Sequence, residues 1–295
     1  MKSIVSYEDR GKWGDSKWRG NCSGHLIVDL CNHFQPRNFV DICEGSGTSG
    51  DVCRELDINY TGLDLHKGFD FTKDSVLEAV GHHSDLVWSH PPYHDMVKYS
   101  GHVWGNQRLE GDTSNCHSYE EFLEKSQLIL LNQRDATNNN GIYTTLIGDM
   151  RRKGQYYPMQ SDLIKLLPSN ELLSIVIKQQ NNHLSSFKSY NGKFIPILHE
   201  YLIIWKRKSK SLISVSYDKA RELKQNISMT WRNLIRIALG KLKGKDRLSN
   251  IYLEVEKIAG EKLASNKHWK AKVRQTLQQH FTSVERGVWA LPLTS

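Results

Sequence analysis

The feature that most constrains this chain is a regular alternation of strand-like and helix-like segments across residues 1–205. NFVDIC (38–43) is a short apolar run closed by a glycine-rich turn, and TSGDVCREL (48–56) follows it with helical spacing. NYTGLDL (59–65), DLVWS (85–89) and GIYTTLIGD (141–149) carry the apolar and aromatic enrichment of strands. Between them KDSVLEAVGH (73–82), SYEEFLEKSQLILLNQRDA (118–136) and SDLIKLLPS (161–169) read as helices, with Ser118 as an N-cap. LLSIVIKQQ (172–180) and LHEYLIIWK (198–206) are two late strands. Alternation of this kind predicts an α/β fold, a doubly wound and mainly parallel sheet that binds ligands at the carboxyl ends of its strands. Residues 94–117 and 181–194 lack a clear period, and loops of that length in a compact domain are usually functional or mobile.

From about residue 229 the texture changes. TWRNLIRIALGKL (230–242), RLSNIYLEVEKIA (247–259, with Ser249 near its start) and HWKAKVRQTLQQH (268–280) are helical. FTSVERGVWALP (281–292) then alternates in strand fashion about Arg286-Gly287. Three helices and a hairpin make a winged helix, so the expected organisation is an α/β domain at 1–206, a linker at 207–228 and a winged-helix-like domain at 229–295.

Charge follows the same division. From Lys206 onward 20 Lys/Arg stand against 7 Asp/Glu, leaving 20 against 25 in the rest of the chain. A mildly acidic body with a strongly basic tail suits a polyanion, most simply nucleic acid, the plainer alternative being a solvated basic surface. Lys270, Lys272, Arg274 and Gln275 in the third helix, with Arg286 in the hairpin turn, are residue types that meet phosphates and base edges. No apolar run approaches the ~20 residues that cross a bilayer. The charged first twenty residues lack the apolar core of a signal peptide, so a cytoplasmic location is expected. Five cysteines, odd in number and without a C-x-x-C pair, fit free thiols in a reducing compartment, and the histidines show no metal-ligand spacing.

FVDICEGSGTSG (39–50) sets Asp41, Glu44, Gly45, Ser46, Gly47 and Thr48 at a strand-to-helix turn, where glycine lets the backbone approach a ligand. Asp64, at the end of the next strand, is placed to accept the ribose hydroxyls of a nucleoside cofactor. Gly50 completes the G-x-G-x-x-G spacing, so NAD stays open on spacing alone. Downstream, SHPPY (89–93) ends a strand with two prolines, which stop the hydrogen-bond ladder and fix the backbone. A rigid prolyl turn can present carbonyl oxygens to an amine, and the aromatic after it can stack on an extruded base; the plainer reading is a tight turn with a packed tyrosine. Asp149, Arg151 and Arg152 follow another strand, either lining a substrate channel and contacting phosphate or forming ion-paired loop charges. His199 and Glu200 sit in an apolar strand and read as a satisfied buried pair, and the remaining tryptophans as core.

In this order the motifs resemble those of the class I S-adenosylmethionine-dependent DNA amino-methyltransferases, which act on adenine N6 or cytosine N4. DICEGSGTSG resembles their cofactor motif D-P-F-x-G-S-G-T, SHPPY their catalytic D/N/S-P-P-Y/F, and WRGNCSGHL (18–26) the segment that closes over methionine. The resemblance covers residues 12–206, in the motif order called gamma. It implies a Rossmann-like fold, S-adenosylmethionine as cofactor, and double-stranded DNA as partner in a restriction–modification, defence or phage setting. It assigns Asn21, Cys22, Ser23, Asp41, Cys43, Glu44, Gly45, Ser46, Gly47, Thr48, Asp64, Leu65, Asp70, Phe71 and Ser89 to the cofactor. His90, Pro91, Pro92 and Tyr93 become the catalytic set. Ile42 and Cys43 replace the usual Pro and Phe, and His90 stands where Asp, Asn or Ser accepts a hydrogen bond from the target amine. A neutral histidine retains one acceptor nitrogen, whereas a protonated one has none. Adenine N6 is the expected target and cytosine N4 the alternative; an RNA methyltransferase and a catalytically silent DNA-binding protein are the other readings.

Overall fold

In a computed structural model the structure describes residues 1–181, 195–209, 230–259, 261–264 and 266–291. Two compact units emerge, Met1–Phe71 with Val76–Lys208, and Thr72–Ser75 with Ser209–Ser295. Most of the loop expected at 181–194 and of the linker expected at 207–228 lies outside the described residues.

The first unit is built on a seven-stranded sheet of β1 (Ile4–Ser6), β2 (Asn38–Asp41), β3 (Asn59–Gly62), β4 (Ser84–Ser89), β5 (Thr137–Ile147), β8 (Leu172–Gln179) and β9 (His199–Lys206). Their order is β1-β8-β9-β5-β4-β2-β3. Pairs β2–β3, β2–β4, β4–β5 and β1–β8 are parallel, while β9 runs antiparallel to both β5 and β8. Leu202, Ile203, Ile204 and Trp205 of β9 are buried in succession, as befits a strand covered on both faces. A two-stranded hairpin, β6 (Met150–Arg152) and β7 (Gln155–Tyr157), follows β5.

Helices α1 (Gly24–Phe34), α2 (Thr48–Glu55), α3 (Val76–Val80), α4 (Tyr119–Ala136) and α5 (Met159–Lys165) join these strands. Ser118 does cap α4, its side chain accepting from the Glu121 N–H. Helix α1 buries Leu26, Ile27 and Leu30 in the core that holds Phe39, Leu86 and Trp88, and stops where Gln35 turns left-handed before Pro36. The first strand spans only three residues, too short for a pattern to announce it, whereas α1 carries its buried Leu26, Ile27, Leu30 and Cys31 at helical spacing. Helix α3 is shorter than its sequence pattern, spanning five residues.

Behind β5 lies a buried ionic network. Arg134 meets Glu171 at 2.6 and 2.7 Å, and Tyr143 donates to the same carboxylate at 2.6 Å. The Lys208 N–H adds a further bond at 2.9 Å. Removing one partner strands the others in a dry interior.

The second unit contains α6 (Trp231–Lys241), β10 (Lys245–Arg247), α7 (Leu248–Ile258), α8 (Glu261–Ala264), α9 (Trp269–His280), β11 (Thr282–Glu285) and β12 (Val288–Ala290). Its strands form an antiparallel sheet in the order β10-β12-β11, with Gly287 in the left-handed region (φ +80°) at the hairpin turn. Leu234, Ile235, Ile251, Val255, Val273 and Leu277 close a core of their own. Thr230 caps α6, whereas Ser249 lies inside α7 and the cap position falls to Arg247.

Glu171→Ala is expected to lower the unfolding free energy of the first unit by about 3–5 kcal/mol, because Arg134 and Tyr143 lose their acceptor together. Urea unfolding followed by tryptophan fluorescence measures it.

Candidate active site

The carboxyl ends of β2, β3 and β4 converge on a cavity of about 680 Å³, open mouth included. Its floor is the turn between β2 and α2. Asp41 ends β2 almost fully buried, accepting from the Cys43 N–H at 2.8 Å and from the Ser49 hydroxyl. Burial pushes its carboxyl up to about 7, reinforced by the charges of Asp64 and Glu44 and only partly offset by those two hydrogen bonds. Asp64 accepts from the N–H of Gly45 and of His66, each at 2.8 Å, and burial raises its pKa as well. Gly45 has φ +54°, and a Cβ there would stand 2.9 Å from the Trp18 indole nitrogen, so the turn has room only for glycine.

The loop before α1 lies across this turn. Asn21 accepts from the Ser46 hydroxyl at 2.8 Å, and the same hydroxyl accepts from the Asp15 N–H at 3.0 Å. Trp18, His66, Trp104 and Tyr99 follow one another at ring separations of 5.6, 5.3 and 5.2 Å. Three of these rings, those of Trp18, Tyr99 and Trp104, line the cavity. Asp112 joins the lining and holds the loop after the prolines, accepting from the Ser100 N–H at 2.7 Å and from the Ser114 N–H at 2.8 Å.

The HPPY segment enters from the end of β4. His90 and Pro92 line the cavity with Trp88; Pro91 and Tyr93 stand outside its lining. Nε2 of His90 lies 2.9 Å from the Tyr93 hydroxyl, which donates to Glu200 at 2.8 Å. Glu200 is ion-paired with Lys178 at 2.6 Å. A Cβ on Gly148 would meet the Tyr93 ring at 2.8 Å, so this glycine lets the ring lie against the end of β5. Burial lowers the His90 pKa to about 4, leaving the ring neutral near pH 7. The Cys43 thiol, beside Asp41 and Asp64 and taking the His90 N–H, is held well above its ordinary value by burial and is a lining group, not a thiolate.

Of the residues assigned to the cofactor from sequence, Asn21, Cys22, Asp41, Cys43, Glu44, Gly45, Thr48, Asp64, Leu65 and Phe71 line this one cavity. Five stand outside the lining. The Ser89 hydroxyl turns inward to Thr145 at 2.8 Å, because alternate side chains of β4 face opposite sides of the sheet. Ser23 bonds back to the Asp9 carbonyl, and Asp70 packs beside Gly111. Ser46 bonds to Asn21, and Gly47 takes the N-cap position of α2. Sequence reasoning missed Tyr99, Trp104 and Asp112 and named Trp18 only as the first residue of the segment set over methionine; the reading of the remaining tryptophans as core holds for Trp205 and for Trp88, which is buried while also touching the cavity, but not for Trp104. Aromatics inside the polar stretch 94–117 were the available signal. Glu200 pairs with Lys178 and Tyr93, whereas His199 turns to Tyr201 at 2.8 Å.

Among the expected nucleic-acid residues, Arg151 and Arg152 lie exposed on the β6–β7 hairpin. Arg152 pairs with Asp95 at 3.0 Å and Arg151 lies over the Tyr156 ring. In the second unit Lys270, Arg274 and Gln275 are exposed on α9, Lys272 is half-buried, and Arg286 is exposed in the hairpin turn. Arg274 donates to the Tyr252 hydroxyl at 3.0 Å, and Lys270 lies over the rings of Tyr252 and Trp269. Among the described residues no helix is long and apolar enough to cross a membrane, and no group of His, Cys, Asp or Glu forms a metal site.

No family model matches the sequence, and no curated protein matches it. Solved structures resemble it distantly. One is a candidate DNA modification methylase from Thermus thermophilus complexed with S-adenosyl-L-methionine (18% identity, 64% of this chain and 60% of that one, TM-score 0.28). Another is a SAM-dependent methyltransferase from Archaeoglobus fulgidus (12% identity, 64% and 96%, TM-score 0.34). A third is the T. thermophilus 16S rRNA N2 G1207 methyltransferase in complex with AdoMet and guanosine (10% identity, 66% and 45%, TM-score 0.34). This chain spans less than two thirds of the length of the first and third. Likeness at this distance does not bear on substrate.

The two shifted groups should leave opposite marks on stability. His90 titrates at about 4 folded against 6.5 ordinarily, so the unfolded chain takes up a proton first as pH falls. Stability should decline from about pH 6.5 to pH 4, and His90→Asn should flatten that limb. Asp41 titrates at about 7 folded against 3.8, so its contribution is complete below pH 3.8 and is lost as pH rises through 7. Asp41→Asn should remove that decline, and denaturant midpoints across the pH range for the three proteins measure both.

Proposed function

We propose that this chain is an S-adenosylmethionine-dependent methyltransferase acting on adenine N6 of DNA. The observation that carries the reading is that His90 of the HPPY segment, held neutral, lines the same acidic cavity as Asp41, Glu44 and Asp64.

The donor set fits that cofactor better than a dinucleotide. Four acidic side chains, those of Asp41, Glu44, Asp64 and Asp112, line the cavity with a single arginine, Arg19, and Lys67 pairs with Glu44 from beyond the lining. Such a surface attracts a sulfonium and an ammonium and repels a pyrophosphate. The amides of the glycine turn are also engaged: Cys43 donates to Asp41, Gly45 to Asp64 and Gly47 to the Glu44 carbonyl, which leaves a poor phosphate cradle. Asp64 keeps free lone pairs for ribose hydroxyls, and the other carboxylates suit the cationic methionine end.

When bound, S-adenosylmethionine supplies an electrophilic methyl group. The chain's own part is positioning and polarisation. The acceptor nitrogen of neutral His90 and a backbone carbonyl of the prolyl turn take the two hydrogens of the target amine, directing its lone pair outward. Pro91 and Pro92 have no N–H to compete as donors and hold those carbonyls in place. With the cofactor held by Asp41, Glu44 and Asp64, the methyl would pass to the amine nitrogen so oriented, and the amine's surplus proton would be released to solvent. Holding both reactants in line supplies most of the acceleration.

DNA as substrate is supported by the second unit. Its order of helix, strand, helix, short helix, helix and hairpin resembles a winged helix, and α9 carries exposed Lys270, Arg274 and Gln275 without an acidic neighbour of its own.

Expression in a methylation-deficient host, followed by mass spectrometry of digested DNA, should reveal N6-methyladenine; N4-methylcytosine instead would reassign the base. His90→Ala should lower transfer by about 10²–10³-fold while sparing cofactor affinity, and unchanged turnover would remove His90 from the mechanism. Lys270→Ala/Arg274→Ala should reduce the slope of log affinity against log salt by about 0.9 for each phosphate no longer neutralised, as measured by fluorescence anisotropy on duplex DNA.

A further inference from the structure

The Tyr93 hydroxyl has one proton and two neighbours, Oε1 of Glu200 at 2.8 Å and Nε2 of His90 at 2.9 Å. The other Glu200 oxygen meets the Lys178 ammonium at 2.6 Å. Burial pushes the Glu200 carboxyl up, but Lys178 and the other groups around it together outweigh burial and hold the carboxyl below its ordinary value, ionised. A carboxylate can only accept, so the tyrosine proton points to Glu200 and the phenol oxygen accepts from His90. Nε2 therefore carries the ring hydrogen. A neutral imidazole has one N–H, which leaves Nδ1 with its lone pair, and Nδ1 has no hydrogen-bond partner among the described residues.

We propose that Lys178 and Glu200 are positioning residues that, through Tyr93, fix His90 in the Nε2–H tautomer and reserve Nδ1 as the acceptor for the amine being methylated. This rests on the amino-methyltransferase reading of the site. Lys178 of β8 and Glu200 of β9 are directly opposed in the sheet, so the pair is held on rigid elements. The chemistry explains why such a relay accompanies a histidine. Aspartate always offers an acceptor oxygen, whereas histidine offers an acceptor or a donor according to its tautomer, and a partner must choose.

The isosteric change Glu200→Gln tests it. Lys178 draws the amide oxygen to itself, which turns the amide NH₂ toward Tyr93. The phenol then accepts from glutamine and donates to Nε2, and the ring hydrogen moves to Nδ1. In serine proteases an acid-to-amide change that forces the wrong histidine tautomer costs about 10⁴-fold; here, where histidine only accepts a hydrogen bond, the expected loss in kcat is about 10²-fold with cofactor affinity unchanged. The tautomer itself is read from ¹⁵N chemical shifts of His90 in the full-length, ¹⁵N-histidine-labelled protein, assigned by difference with His90→Gln. The expected results are Nε2–H in the wild type and Nδ1–H in Glu200→Gln. Adding Lys178→Met frees the amide oxygen to face Tyr93, and should restore both the Nε2–H signature and most of the lost turnover, a rescue that a merely structural role would not give. Should Glu200→Gln not fold, Tyr93→Phe breaks the relay without touching the ion pair and should leave a mixture of tautomers. Nδ1–H in the wild type, or one unchanged tautomer across these variants, overturns the relay. A tautomer switch as expected, in a wild type that methylates no DNA, overturns instead the methyltransferase reading and with it the role of Nδ1.

Discussion

The buried carboxylate of Asp41 organises the site on which the rest of the first unit converges. It sits where β2 gives out, and its two oxygens take the Cys43 N–H and the Ser49 hydroxyl, one from each side of the glycine turn. The turn is thereby bound to the start of α2, and Gly45 is carried to Asp64 at the end of β3. Burial and neighbouring acid push the Asp41 carboxyl up to about 7, so a cation at the cavity floor would favour its ionised form and be held there in return. Folding and ligand preference thus come from one electrostatic fact.

The opposite wall obeys a different constraint. His90 is neutral because burial there disfavours the imidazolium, and the Lys178–Glu200 pair lies one tyrosine away. The ion pair's two charges offset each other's field at the ring, and what reaches His90 is a directional hydrogen bond. Charge sets which ligand can enter the cavity, and hydrogen-bond direction sets what the histidine can do inside it.

Strand ends and motifs were legible because they depend on local rules. The apolar runs of β2, β4, β5 and β9, the Ser118 cap and the hairpin about Arg286-Gly287 all follow from short-range patterning. Strand direction was not legible: β9 inserts antiparallel between β5 and β8, and a run of buried residues looks the same in either sense. Trp104 misled for a related reason, since a large aromatic is accommodated equally well in a core or around a cavity. Ser89 misled because adjacent positions on a strand face opposite sides, so proximity to the motif did not bring its hydroxyl to the cavity.

By itself the sequence determined the alternation of elements, the glycine turn with its acids, the HPPY tetrapeptide and the concentration of positive charge after residue 205, all of them properties of neighbours along the chain. Only the tertiary structure decided which residues surround them. Lys178 and Glu200 lie far from His90 in sequence; Glu200 stands out only as an acid in an apolar strand, and its contact with Tyr93 depends on a sheet order that brings distant strands side by side. Hydrogen bonds act over about 3 Å in space, and a one-dimensional pattern carries no such distance.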